Sequence, residues 1–381
     1  PMNKPLSIPS FPRLQYGVDI VPVEDGKVLL RSFTGSVMLS GDFVAVVLPL
    51  LLPLLDGRHG IEDLAAKFDE TLRPEIEDFL TLIQQKGFLG KAAQHGREDD
   101  AVMLSSKDCA YWSLYGASAS QAATRLAQST VVVTGLGDVG KIVATMLAAS
   151  GVGTLVLVEG ATLSTRSGGP EEAKASEAEK TELLLRKQYA CRIVTIPTTI
   201  DDAAGWEETV AAASVVAVLS DTMSMSGYDR ANEVCIKHGV PWVSARIDRQ
   251  RAIIGPFVIP NQTACFACFE ARSRANADHP EDHEALYRHW KELNGRRDIW
   301  PSLLPFAGIV GNFVALDLLR VLAGEHLSAA AGRIINIDLP TMERSVHEVL
   351  KLPRCPACSR LRDRRPTKIW DIIPTETRSV G

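Results

Sequence analysis

No stretch of this 381-residue chain is both long and continuously apolar. The longest such run, Phe43 to Leu55, is interrupted by Pro49 and Pro53 and falls short of the roughly 20 residues that cross a bilayer. A charge excess is also missing. Forty-one basic against 46 acidic residues leave a formal net charge of −5, which excludes a basic chain that coats nucleic acid. Internal repeats and low-complexity tracts are absent, and 46% hydrophobic with 23% charged residues exclude a disordered or collagen-like chain. No charged-then-apolar segment opens the sequence, so the expectation is a cytoplasmic protein. At roughly 150 residues per domain, the length predicts two to three domains.

What is present separates into regions. From about residue 14 to 92, Val18-Asp-Ile-Val21, the turn pair Asp25-Gly26 and Lys27-Val-Leu-Leu30 predict a β-hairpin. Helical patterns follow over Phe43–Leu55, Ile61–Phe68 and Pro74–Lys86, with Gly57 and Gly87 as stop signals. Two or three small strands ahead of three helices predict a winged-helix-like α+β module over 1–92. The polar stretch from Lys91 opens a linker and helix over 93–128. From 129 to 381 the pattern alternates: strands at Val131–Val133, Leu155–Val158, Ile193–Ile196, Val215–Leu219 and Trp242–Ser244, with helical segments between. That alternation predicts an α/β fold with a mostly parallel, Rossmann-like sheet covered by helices. Asp278 to Arg297, charged and His-rich, reads as an exposed helix or insertion.

Three motifs carry chemistry. Gly135-Leu-Gly137-Asp-Val-Gly140 follows a predicted strand and opens a predicted helix. In that context glycines permit a tight turn and close backbone approach to phosphates at a positive helix N-terminus. An acid, Glu159, follows the second strand at the ribose-binding spacing. The second motif is the pair Cys265-Phe-Ala-Cys268 and Cys355-Pro-Ala-Cys358. Four thiolates in two close pairs match a closed tetrahedral structural zinc site, and two independent redox pairs are the competing reading. The remaining cysteines, Cys109, Cys191 and Cys235, read as packing residues. The third motif is Asp221 at the end of the Val215–Leu219 strand, where open α/β sheets bind ligands. Such a residue either holds magnesium at a triphosphate or caps the next helix.

Together these motifs resemble the ubiquitin-activating enzymes and their bacterial relatives, the thiamine- and molybdopterin-biosynthesis adenylyltransferases, from about Ser129 to Cys358. Gly239-Val-Pro-Trp-Val-Ser-Ala245, Thr263–Cys268 and Phe306–Gly311 with Leu322-Ala-Gly324 carry the resemblance further. It implies ATP on the glycine loop (Gly135, Gly137, Gly140), Glu159 on the ribose, and Lys180 and Arg166 on the phosphates. It also implies magnesium on Asp221, with Arg230 and Asn232 near the developing charge. Two departures stand out. Glu159 replaces the usual Asp, and Gly160–Glu179 lacks the family's Asn-Leu-x-Arg-Gln string. No cysteine lies where a thioester relay would need it.

The N-terminal region resembles the leader-peptide-recognition domain of peptide-modifying enzymes, in the form of the pyrroloquinoline-quinone-biosynthesis peptide chaperone. Val28–Leu30, Leu54-Leu-Asp-Gly57, Glu62–Leu64, Phe79-Leu80 and Lys86-Gly-Phe88 carry it. The resemblance implies that a leader peptide adds as a strand to the small sheet. A DNA-binding winged helix is the competing reading, and the negative net charge argues against it. Both halves together imply a maturation enzyme of ribosomally made peptides. It would adenylate a precursor carboxylate, a Glu side chain in the nearest resemblance, with ATP, magnesium and structural zinc, and would work as a homodimer. The alternative is a non-catalytic leader-binding scaffold that delivers the precursor to a separate cyclodehydratase.

Overall fold

A computed structural model describes residues 8–15, 17–33, 35–90, 108, 111–112, 119–159, 176–199, 203–221, 227–292, 302–324 and 328–359. The chain divides into two compact units, 1–128 with 319–326, and 129–318 with 327–381.

In the first unit, strands β2 (Asp19–Val23), β3 (Lys27–Ser32) and β4 (Gly35–Leu39) form an antiparallel sheet in that order. The predicted hairpin is β2–β3, and its turn places Asp25 and Gly26 at φ 65° and 68°, the left-handed region that Asn, Asp and Gly tolerate best. A second, two-stranded sheet pairs β1 (Arg13–Leu14) with β5 (Leu89–Gly90), tying the module's entrance to its exit. The predicted helix over Phe43–Leu55 forms, but changes pitch: a π-wound turn at Phe43–Val47, α1 at Leu48–Leu51, then a 3₁₀ turn at Leu52–Leu54. Pro49 and Pro53 each lack an amide donor, so each starts a turn instead of continuing one. Helices α2 (Ile61–Ala65) and α3 (Arg73–Gln85) follow, and α3 buries Ile76, Phe79, Leu80 and Ile83 on one face as its period requires. These pack with Leu30, Leu48, Leu51 and Leu64 into one core. The unit also holds α4 (Ala119–Gln128).

The second unit is built on an eight-stranded sheet. Its parallel part runs β10 (Trp242–Asp248), β9 (Val215–Ser220), β6 (Thr130–Thr134), β7 (Thr154–Glu159) and β8 (Arg192–Thr199). The run of valines and leucines is buried on both faces, as parallel strands demand. Val132, Val156, Val216 and Val218 join Trp206, Tyr228, Trp242 and Phe266 on one side. Val131, Val133, Leu155 and Leu157 alternate to the other and are equally buried. Helices α5 (Asp138–Ala149), α6 (Glu177–Gln188), α7 (Ala203–Ala211) and α8 (Tyr228–His238) connect or flank these strands.

Beyond β10 the sheet turns antiparallel through β11 (Arg251–Val258), β12 (Arg333–Asp338) and β13 (Arg344–Glu348). The sheet is therefore mostly parallel with an antiparallel extension. Helices α9 (Phe266–Ala275), α10 (Pro280–Glu292) and α11 (Leu304–Leu322) complete the chain. The charged stretch from Asp278 is thus a helix through Glu292; residues 293–301 lie outside the described residues. Among the described helices, α11 is long and apolar enough to cross a membrane. Its Asp317 is buried, however, accepting from Ser328 Oγ at 2.6 Å and the Ala329 amide at 2.7 Å. Near its middle, a Cβ on Gly311 would lie 2.7 Å from Ile142 Cγ2, so α11 crosses α5 at backbone contact. Both features belong to a helix packed within a protein core.

Candidate functional site

Strand β6 ends and the chain turns at Gly135, whose φ of +84° is left-handed. A Cβ there would sit 1.8 Å from the Leu219 carbonyl oxygen, so the loop passes β9 at backbone contact. A Cβ on Gly137 would lie 1.9 Å from Asp221 Oδ2, and one on Gly140 would lie 2.1 Å from the Gly135 oxygen. All three glycines of the loop are required by the protein's own close packing.

That packing seats Asp221, one residue past β9, on the open end of α5. Its Oδ2 accepts from the Asp138 amide at 2.5 Å and its Oδ1 from the Val139 amide at 2.9 Å. The sequence left open whether Asp221 caps the following helix. It caps α5 instead, 83 residues upstream, and lies on the glycine loop. Helix N-termini attract anions, and these amides are the donors that such loops turn toward phosphates. Burial pushes the Asp221 carboxyl up. The Val139 and Asp138 amides and the Lys141 charge oppose that shift, while the Asp138 charge adds to it. A carboxylate in this state retains lone pairs for a hard cation, and magnesium is commonly held by one carboxylate plus substrate phosphates. Asp221 fits that role.

One lysine follows the loop directly, and a second meets it on a shared carboxylate. Lys141, in the first turn of α5, and Lys180, in the first turns of α6, donate to the two oxygens of one carboxylate, Glu177. The Lys180 contact is 2.9 Å. The α6 N-terminus is locked by a reciprocal cap, in which Ser176 Oγ accepts from the Glu179 amide and Glu179 returns a bond to the Ser176 amide. Although burial acts to raise it, the two ammonium groups hold the Glu177 carboxyl below the usual carboxylate range. Lys180, expected just ahead of a helical stretch, lies inside the first turn of α6. Lys141 escaped the sequence reading, because nothing in its local pattern separates it from a surface lysine.

Arg246 escaped it too. This arginine lies on β10 in register with Ser220, next to Asp221, and is only 4% exposed. Its guanidinium carbon is 5.8 Å from the centroid of the Tyr228 ring. Burial pushes the Tyr228 hydroxyl up to about 12, with the Arg246 charge opposing that shift. A guanidinium this deeply buried is costly unless it is paired.

Other predicted residues are dispersed. Arg230 pairs with Glu233 at 3.0 Å on α8. Asn232 is buried on the same helix, and its Oδ1 accepts from the Phe266 amide at 3.0 Å, so it caps α9 beside the cysteines. Glu159 ends β7, in the position expected of a ribose-binding acid. Arg166 lies outside the described residues, as does Cys109.

The four motif cysteines converge. Cys265 and Cys268 flank the start of α9, and their sulfurs lie within 4.8 Å of those of Cys355 and Cys358. Individual Sγ–Sγ distances are 3.6 to 3.8 Å. Four ligands at the zinc–thiolate bond length of about 2.3 Å on a tetrahedron are separated by about 3.8 Å. The set thus fits a tetrahedral ion. The Cys265 thiol, with the Leu352 amide 3.4 Å away, holds Cys268 down to about 4, favouring its thiolate. Burial pushes the Cys191 and Cys235 thiols up, as befits packing residues.

One consequence is testable at the loop. Gly137→Ala places its methyl on the Asp221 carboxylate, while the φ of −71° is allowed to any residue. The expected result is a folded protein whose affinity for ATP–magnesium drops about tenfold, since the clash moves one functional carboxylate by about 1 Å. Calorimetric titration reads it, and unchanged affinity would contradict the close approach.

Comparison with known proteins gives a consistent picture. The sequence model of the ThiF family matches residues 112–359, well over half of the chain. The molybdopterin-synthase adenylyltransferase of Escherichia coli (strain K12) is 24% identical over 245 residues, covering 61% of this chain and 88% of that protein. Protein HesA of Leptolyngbya boryana is 24% identical over 247 residues, covering 61% and 78%. The crystal structure of E. coli MccB, described as the microcin C7 biosynthetic enzyme, superposes with a TM-score of 0.69 at 16% identity, covering 94% of this chain and 98% of that one. The heterocyclase TruD superposes at 0.59 and 19% identity, covering 95% of this chain and 45% of its own length. The fold is thus shared over nearly all of this chain with MccB.

Proposed function

The chain belongs to the ThiF family, and from that premise we propose that it is an ATP-dependent enzyme that adenylates a carboxylate of a ribosomally made precursor peptide and closes a ring on it. The observation that carries this reading is the seating of Asp221 on the glycine-loop end of α5, with Lys141 in that helix's first turn and sharing Glu177 with Lys180. Such a site suits a triphosphate. The ammonium groups would meet the phosphates, and Asp221 is the residue that would hold magnesium.

A carboxylate is a poor electrophile. Attack of its oxygen on the α-phosphorus forms an acyl–phosphate bond and breaks the bond to the β-phosphate, and pyrophosphate leaves with the electron pair. The lysines stabilise the charge that gathers on the phosphate oxygens. A nucleophile of the same peptide then displaces AMP and closes the ring. Magnesium supplies charge neutralisation on the phosphates when bound.

Peptide modification is supported by the whole-chain likeness to MccB, for which structures with MccA and with ATP exist. The first unit supports a leader-binding role. Its three-stranded sheet has two outer strands, and β4 contains no proline whereas β2 carries Pro22. A strand added at β4 would find an uninterrupted set of amides. The side chain of Glu is the proposed target, following the resemblance to the pantocin A maturation enzyme, which works on adjacent glutamates. The cysteine cluster holds structural zinc in this reading, and the working form is a homodimer.

The deciding assay combines the purified protein, ATP–magnesium and the precursor peptide encoded beside its gene. Mass loss in the peptide, with one AMP and one pyrophosphate released per ring, is the expected result. Tight leader binding without AMP release would overturn the enzyme and leave the delivery scaffold.

A further inference from the structure

Lys141 directly follows the last glycine of the loop, where no consensus string predicts a cation. Its amide bonds the Gly137 carbonyl at 3.0 Å, which fixes it in the first turn of α5. Its ammonium group shares Glu177 with Lys180, and Glu177 is only 12% exposed while both lysines are more than a third exposed. Two cations share one carboxylate, with Asp221 and Asp138 at the same helix end. A divalent ion on Asp221 would leave that cluster with surplus positive charge facing the loop.

Resting on the adenylation reading above, we infer that Lys141 is a second phosphate-binding cation of the nucleotide site, alongside Lys180. Glu177 bonds both ammonium groups and is the contact that a triphosphate would replace. The exchange of a singly charged carboxylate for a triphosphate is electrostatically downhill. The alternative for such a contact is a plain strut between α5 and α6, and the two roles diverge on substitution.

The test is calorimetric titration with ATP–magnesium, alongside thermal unfolding, on four proteins. The unaltered chain is expected to bind. Lys141→Met is expected to lose about tenfold or more in affinity with its unfolding temperature nearly unchanged, and Lys141→Arg to stay within about threefold. Glu177→Gln breaks the strut but leaves both cations, so it is expected to bind ATP within about threefold of the unaltered chain. If Glu177→Gln loses affinity as Lys141→Met does, or if Lys141→Met binds normally, Lys141 is a strut and the inference fails. Failure of the unaltered chain to bind ATP would instead overturn the adenylation reading, and this inference with it.

Discussion

Asp221→Asn is expected to abolish adenylation, on the order of 100-fold or more in pyrophosphate exchange, while the protein stays folded. The amide keeps one oxygen to accept from α5 but offers no charge to a divalent ion. Stability should change less. Burial raises the Asp221 carboxyl above its ordinary 3.8, so the folded chain takes up a proton more readily than the unfolded one. The stability contributed by this group is full below that ordinary value and is lost as the pH climbs through the raised one. At neutral pH the amide removes that burial cost, but its NH2 group faces one of the two α5 amides that the carboxylate serves, so one bond of the cap is lost. The two changes oppose each other, and the variant is expected to unfold within a few degrees of the parent at pH 7. The same titration predicts that activity of the parent falls as the pH drops toward the raised value. Full activity of Asp221→Asn would remove the carboxylate from the mechanism.

The second large effect is expected at the cysteines. Cys355→Ser should lower zinc from one ion per chain to near none and collapse the cooperative unfolding of the second unit. Structural zinc binds zinc-finger peptides with about 10–16 kcal/mol, which matches or exceeds the 5–15 kcal/mol by which whole domains are stable. Cys191→Ser, in a thiol remote from the cluster, should keep both metal and unfolding temperature. Elemental analysis and calorimetry check the pair. Retention of zinc by Cys355→Ser would exclude the tetrahedral site.

These two sites differ in how far the sequence disclosed them. The cysteines were legible because Cys-x-x-Cys twice over carries its own geometry, and the fold had only to bring the pairs together. The parallel strands were legible because burial on both faces leaves continuous apolar runs. The antiparallel extension was not. Its entry turn, Arg249–Gln250, holds Arg249 at φ 58° with neither glycine nor proline to signal it. Asp221 was legible as a strand-end acid, yet its bonds to the α5 amides depend on a closure that spans 83 residues. Asn232 matched a family position, and the structure shows its amide engaged with the α9 terminus beside the cysteines. Lys141 and Arg246 gave no local sign at all. One is a lysine among many, and the other breaks the expectation that charged side chains remain at the surface.

The 90-residue separation of the cysteine pairs also sets a timetable. On a ribosome adding about 5–20 residues per second, Cys265 and Cys268 are made roughly 5–18 s before Cys355 and Cys358. For most of that interval β12 and β13 are still unmade, and two thiols wait without their partners. In the zinc reading, metal capture is a late clasp, and a chain cut short between Glu348 and Cys355 would have its strands complete and hold half a site.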